Sequence, residues 1–199
     1  MTTTSTYNMS FTVGGLLLSE SVLLAKLYIK TKDWRQVRKV ASTDNLLQIR
    51  TLTARERIVR EVVFRLMEIS PDELTLFLAA HQKEQGYLLW LGICRRYPFI
   101  AEFTIDVLHD RFIRMSPKID MQDFDNFFDK KAEWDGRFNS IKPTTRAKLR
   151  SVLFRIMKEA GIISYQLEIS PIIFSPQLAN HFSQSAADDI RIFPGYVQS

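Results

Sequence analysis

The chain has 199 residues, 46% of them apolar and 25% charged, with a net charge of +5. This is ordinary globular composition with room for one sizeable core or two small ones, and it excludes a disordered chain. The longest apolar runs, Val13 to Leu18 and Tyr87 to Cys94, fall far short of the ~20 residues that span a bilayer.

Apolar spacing predicts helices almost throughout. A first helix is expected over Leu16 to Lys30, burying Val22, Leu23 and Leu27. A shorter one from Asp33 to Ala41 carries Trp34, Val37 and Val40 on one side and Arg35, Arg38 and Lys39 off it. A third, about Thr53 to Ile69, buries Ile58, Val62, Leu66 and Ile69 at helical spacing. Ser70-Pro71-Asp72-Glu73 then reads as a cap, a first-turn proline and a glutamate placed to return the capping bond. Helices follow at 71–82, 85–97 and 98–115, and Asp120 caps another over 121–135 with an aromatic stripe of Phe124, Phe127 and Phe128. The stretch TTRAKLRSVLFRIMKEAGII, residues 144–163, is amphipathic: Leu149, Val152, Leu153, Ile156 and Ala160 share the core side. After Gly161, IISYQLEISPIIF is rich in β-branched residues and suits a small hairpin. Ser175-Pro176 opens a short closing helix through Phe182, and the residues around Pro194-Gly195 are expected to be loose.

The expected fold is therefore all-α, with a β-hairpin wing near its end. Its units are an N-terminal helical unit over 1–70, central helices over 71–119, a winged helix-turn-helix over 120–183 and a tail over 184–199. The N-terminal MTTTSTYNMSFT lacks the basic-then-apolar order of a signal peptide. The single Cys94 cannot form an internal disulfide, so a cytoplasmic protein with Cys94 inert in the core is expected.

Charge is unevenly placed. Residues 1–65 carry a net +6 and residues 140–160 a net +5, while 66–139 carry −4 and the remainder −2. Two separated basic blocks are the footprint of a polyanion binder. In the second block Thr144 or Thr145 is placed to cap the helix, leaving early N–H groups for a phosphate. Arg146, Lys148, Arg150, Arg155 and Lys158 lie off the apolar stripe. A helix, a turn, a basic helix and a hairpin follow in the order of a winged helix-turn-helix, whose second helix enters the DNA major groove.

The first block echoes the second. TARERI (53–58) matches TTRAKL (144–149) and VVFRLM (62–67) matches VLFRIM (152–157), with a one-residue slip between the pairs. Asp33 to Ala41 and Thr53 to Met67 thus read as a second, wingless helix-turn-helix, with Thr53, Arg55, Arg57 and Arg60 on its groove-facing helix and Arg35, Arg38 and Lys39 on its support. Phe64 and Phe154 fall off their stripes in both copies.

The segments SFTVGGLLLSES, DWRQVRK, NLLQIRTLTARERIVREVVFRL, FDNFFDKKAEW and SIKPTTRAKLRSVLFRIMKEAGII, in this order over about residues 7–180, resemble the BrxA family, small core components of bacteriophage exclusion (BREX) phage-defence systems. The resemblance implies an all-helical protein with two helix-turn-helix elements separated by positive surface. It also implies binding to double-stranded DNA beside a methyltransferase and other BREX proteins. It assigns no individual base contacts.

No catalytic, metal or cofactor site is expected. His81, His109 and His181 are scattered, and the carboxylates Asp120, Asp123, Asp125 and Asp129 lack the glycine and terminal glutamate of a calcium loop. Gly14-Gly15 lacks the Lys-Ser/Thr and the βαβ setting of a phosphate loop. The reading is a non-enzymatic, sequence-tolerant duplex-DNA binder with no small-molecule substrate and no membrane contact. A protein-protein adaptor without DNA contact and an RNA-binding helical protein are the alternatives.

Overall fold

The computed structural model describes residues 7–185 and 187–196. Ten α-helices occur among them: α1 (Leu18–Thr31), α2 (Trp34–Thr43), α3 (Leu52–Leu66), α4 (Pro71–Ala79), α5 (Gln82–Arg96), α6 (Pro98–Phe103), α7 (Asp110–Ile113), α8 (Met121–Trp134), α9 (Pro143–Glu159) and α10 (Pro176–Ser185). The expected all-α class holds.

Local signals account for most helix starts. Asp33 accepts from the backbone N–H of Arg35 and Thr51 from that of Ala54. At α4 the expected capping box is complete, with Ser70 and Glu73 bonding each other's backbone N–H and Pro71 following. Asp120 and Asp123 form a second box at α8. The helix expected over 98–115 is interrupted instead by a π-helical stretch, Thr104–His109. At its start the Thr104 hydroxyl takes the Ile100 carbonyl at 2.8 Å, competing for an acceptor of the helical ladder.

Packing is organised around α5. Every side chain from Tyr87 to Cys94 on it is buried, so it meets neighbours on all sides, as a helix that is apolar all round must. Helix α3 crosses it closely at Gly92, where an added Cβ would lie 2.7 Å from the Arg65 carbonyl. Helices α1 and α2 cover α3. Phe99 and Phe103 of α6 interlock by edge-on contacts with Phe124, Phe127 and Phe128 of α8, and Phe138 beyond α8 packs edge-on against Phe128.

Arg65 is fully buried within this core. Its Nε bonds Glu61 at 2.7 Å, and its remaining nitrogens reach the carbonyls of Gly15, Leu16 and Val13 at 2.8, 3.4 and 3.4 Å. Tyr97 adds its hydroxyl to Glu61 at 2.7 Å. This ion pair is thereby supplied with hydrogen bonds, the condition under which a buried pair is tolerated, and it fixes the strap of residues 11–17 onto α3.

The hairpin wing expected over 162–174 does not form; no strand occurs among the described residues. The chain turns at Ser164 to Glu168 and makes one antiparallel bridge within itself, Ile163 with Ile169, and a second outside it, Glu168 with Lys118. The next bonds go elsewhere, Ile169 N–H to Pro117 and Ile119 N–H to Leu167, both at 2.9 Å. Pro171 has no N–H to extend a ladder. Ile162, Ile163, Ile169, Ile172 and Phe174 are all buried, so the segment closes the core instead of projecting as a wing.

The tail is also ordered where it was expected to be loose. Residues 187–196 fold back onto α5: the Trp90 indole donates to the Ile192 carbonyl at 2.9 Å, Phe193, Pro194 and Gly195 are buried, and Tyr196 bridges to Ile172. Half of the N-terminal stretch MTTTSTYNMSFT, residues 1–6, lies outside the described residues. No helix among the described residues is long and apolar enough to cross a membrane.

Candidate nucleic-acid interface

Helices α2 and α3 are joined by residues 44–51 and α8 and α9 by residues 135–142. Both connections exceed the three or four residues of a simple helix-turn-helix. The first is built by Asn45, whose side chain accepts from Ile49 N–H at 2.9 Å, with Asn45 and Gln48 both at positive φ. It splays α2 and α3 enough to leave an open cleft of about 710 Å³ between them.

Six of the seven residues singled out in the first basic block line this cleft: Arg35, Arg38 and Lys39 from α2, and Thr53, Arg57 and Arg60 from α3. Spacings of three and four place each set on one helical face. All six are exposed. Among the described residues none of the five cations is within 4 Å of a carboxylate, although Arg57 donates to the Thr12 hydroxyl at 3.0 Å. The cleft also contains Ser42, Thr43 and Glu56, which the sequence reading missed. For Glu56 a signal existed, since it lies three residues after Thr53 and four before Arg60.

Arg55 does not join them. It is half-buried, donating to the carbonyls of Ser42 at 2.7 Å and Ile49 at 3.3 Å, and so ties the end of α2 to the loop before α3. Phe64, off its stripe, is covered by guanidinium groups: Arg96 lies 4.4 Å and Arg38 5.8 Å from its ring centroid, at cation–π range.

The second block is arranged differently. The Arg146 Nε bonds Asp125 at 2.8 Å and its two other nitrogens bond Asp129 at 2.5 and 3.0 Å, with its plane 4.5 Å from the Phe128 centroid. Arg150 pairs with Asp125 as well. The neighbouring Arg146 holds the Asp129 carboxyl below the usual range. These two arginines fasten α9 to α8. Arg155 pairs with Glu159 at 2.7 Å, one turn on. Lys148 is exposed without a carboxylate partner among the described residues, and Lys158 is half-buried beside Phe154 and Tyr165. Neither Thr144 nor Thr145 caps α9, because the helix begins one residue earlier, at Pro143, with Lys142 in the cap position and no side-chain bond there. The two threonines are exposed in the first turn.

A family model described as BrxA matches residues 5–186. The chain belongs to the BrxA family. Among curated relatives, a BREX protein BrxA from Bacillus cereus (strain H3081.97) is 26% identical over 132 residues, which is 66% of this chain and 66% of that protein. The match therefore spans just under two thirds of that relative's length. A crystal structure of an uncharacterized protein from Magnetospirillum magneticum superposes with a TM-score of 0.80 at 20% identity, covering 94% of this chain and 97% of that one; it shares the fold. In this BrxA-family chain the two basic blocks thus differ: five cations of the first line a cleft without carboxylate partners among the described residues, whereas Arg146 and Arg150 of the second hold α9 to α8.

Proposed function

We propose that this BrxA-family chain is a non-enzymatic component of a BREX phage-defence system that binds double-stranded DNA through the α2–α3 cleft. The observation that carries this reading is the set of five exposed cations, Arg35, Arg38, Lys39, Arg57 and Arg60, converging on one cleft without carboxylate partners among the described residues. Like charges held this close repel one another, and a phosphate backbone relieves that repulsion while releasing its counterions. Helix α3 presents Thr53, Glu56, Arg57 and Arg60 on one face, and the width of the major groove admits one helix. On this reading α2 grips the flanking phosphates.

Binding is tested with a random-sequence duplex by fluorescence anisotropy across a salt series. If five phosphates are neutralised, log K falls with log salt at a slope of about −4.5, so affinity drops roughly 500-fold between 50 and 200 mM. Absence of binding at low salt would overturn the proposal. Competition by single strands and by structured RNA distinguishes the RNA-binding alternative.

An adaptor role draws support from other exposed positions. Ile113, Met115 and Trp134 are exposed large apolar side chains, Met115 to 87% and Trp134 to 85%, of the kind that partner proteins cover. Other BREX proteins, the methyltransferase among them, are the partners this role implies.

A further inference from the structure

Glu56 is the single carboxylate lining the cationic cleft among the described residues. For a surface whose only task is to hold phosphates it is out of place, because it repels the ligand that the five cations attract. Three structural explanations for it fail. It caps nothing: Thr51 caps α3, and no acidic residue occupies that helix's first turn, where negative charge would meet the helix dipole. It makes no ion pair among the described residues, although Arg60 stands one turn on and Arg57 beside it; the pairs formed nearby are Arg65 with Glu61 and Arg96 with Glu68. It is exposed and so supports no packing.

Its position gives a better account. Thr53, Glu56, Arg57 and Arg60 are spaced three, four and seven residues apart along α3 and line the cleft together, so they form the face that meets base edges when the helix lies in a major groove. There a carboxylate accepts from the exocyclic amino group of cytosine, a guanidinium donates to guanine, and a threonine methyl packs on thymine. We propose that Glu56 is a specificity-determining residue of the α3 face, selecting, at one position of the bound duplex, the strand orientation that turns a base amino group towards it, cytosine above all. This rests on the duplex-binding reading of the cleft and refines its sequence tolerance: affinity comes from phosphates, and one position is read.

The test is selection from a randomised duplex pool by the full chain and by its E56A and E56Q variants, each sequenced and each titrated against the unselected pool. The expected result is that the unaltered chain enriches cytosine about tenfold at one position. E56A loses that preference while binding the unselected pool more tightly, and E56Q shifts the preference towards adenine, whose edge matches an amide. If E56A binds more tightly but returns the same enrichment profile as the unaltered chain, Glu56 merely tempers the charge of the cleft, and the proposal is wrong while duplex binding stands. A flat profile from the unaltered chain overturns it in the same way. No retention of any duplex at low salt removes both the duplex-binding reading and this one.

Discussion

Arg65 and Arg155 stand at matched positions of the two echoing helices and close on the same strap from different depths. Arg65 is fully buried and holds the carbonyls of Val13, Gly15 and Leu16. The side chain of Arg155 is 64% exposed and steadies Glu159, whose Oε2 accepts the Leu16 N–H at 2.5 Å. The strap passes between them at Gly15, where an added Cβ would lie 2.1 Å from Glu159 Oε2.

Removing Arg65 strands Glu61, a buried carboxylate, with only the Tyr97 hydroxyl as a hydrogen-bonding partner. Arg65→Ala is expected to cost about 3–5 kcal/mol, and to lower Tm by roughly 6–20 °C in a chain of this size. Thermal unfolding measures it. Arg155→Ala, which loses an exposed pair, should shift Tm by about 0–4 °C.

On the second basic block, Arg146→Ala and Lys148→Ala separate structural from solvent-facing charge. From sequence alone the arginines there are expected to be dispensable for folding. In the structure Arg146 is shared by Asp125 and Asp129, so its loss should destabilise by about 1–2 kcal/mol, seen as a Tm about 2–8 °C lower. Lys148→Ala should leave Tm unchanged. Equal Tm values for the two variants would contradict this assignment.

The α2–α3 cleft makes a quantitative prediction. Changing Arg35 and Lys39 of α2 together to Ala should flatten the salt dependence of duplex binding by about 1.8 in slope, at 0.9 per phosphate contact, without a change in Tm, since both are exposed and unpaired with carboxylates among the described residues. An unaltered slope would move the DNA site elsewhere.

Acid sensitivity should centre on Glu73. Burial pushes its carboxyl up, but Arg95, the Ser70 N–H and His181 outweigh that and hold it at about 2, against an ordinary 4.5. A carboxyl with a depressed folded-state value stabilises fully above its unfolded value, and the benefit is lost as pH falls through the folded one. Glu73 should thus contribute about 3 kcal/mol at neutral pH, disappearing between roughly pH 5 and pH 2. Urea midpoints across that window should fall less steeply for Glu73→Gln than for the unaltered chain.

What could be read from the sequence was local. Ser70, Pro71 and Glu73 announce the start of α4 within four residues, and Asp120 does so for α8, because caps bond to their own helix. The six cleft residues were legible for a similar reason: spacing alone assigns them to helix faces away from the apolar stripe. What was not legible depended on partners distant in sequence. VVFRLM and VLFRIM are nearly identical, yet Arg65 is buried and Arg155 exposed, because only α3 has backbone carbonyls laid across it. Asp125 and Asp129, one turn apart on α8, read from the sequence only as carboxylates without the pattern of a calcium loop; that they meet Arg146 follows from the docking of α8 on α9. The supposed wing failed where residues 117–119 supplied competing acceptors and donors, and the closure of α5 by Ile192 spans 102 residues of chain.

That closure bears on how the protein is made. Trp90 and Arg95 on the central helix are completed by Ile192 and Asp189, so during translation α5 emerges about a hundred residues ahead of groups that cover it. The part of α5 beneath residues 187–196 stays uncovered until those residues have been made, while α3, α4 and α6 cover the rest earlier. Chain termination before residue 189 removes both partners, so such a product should be less stable to heat than the unaltered chain.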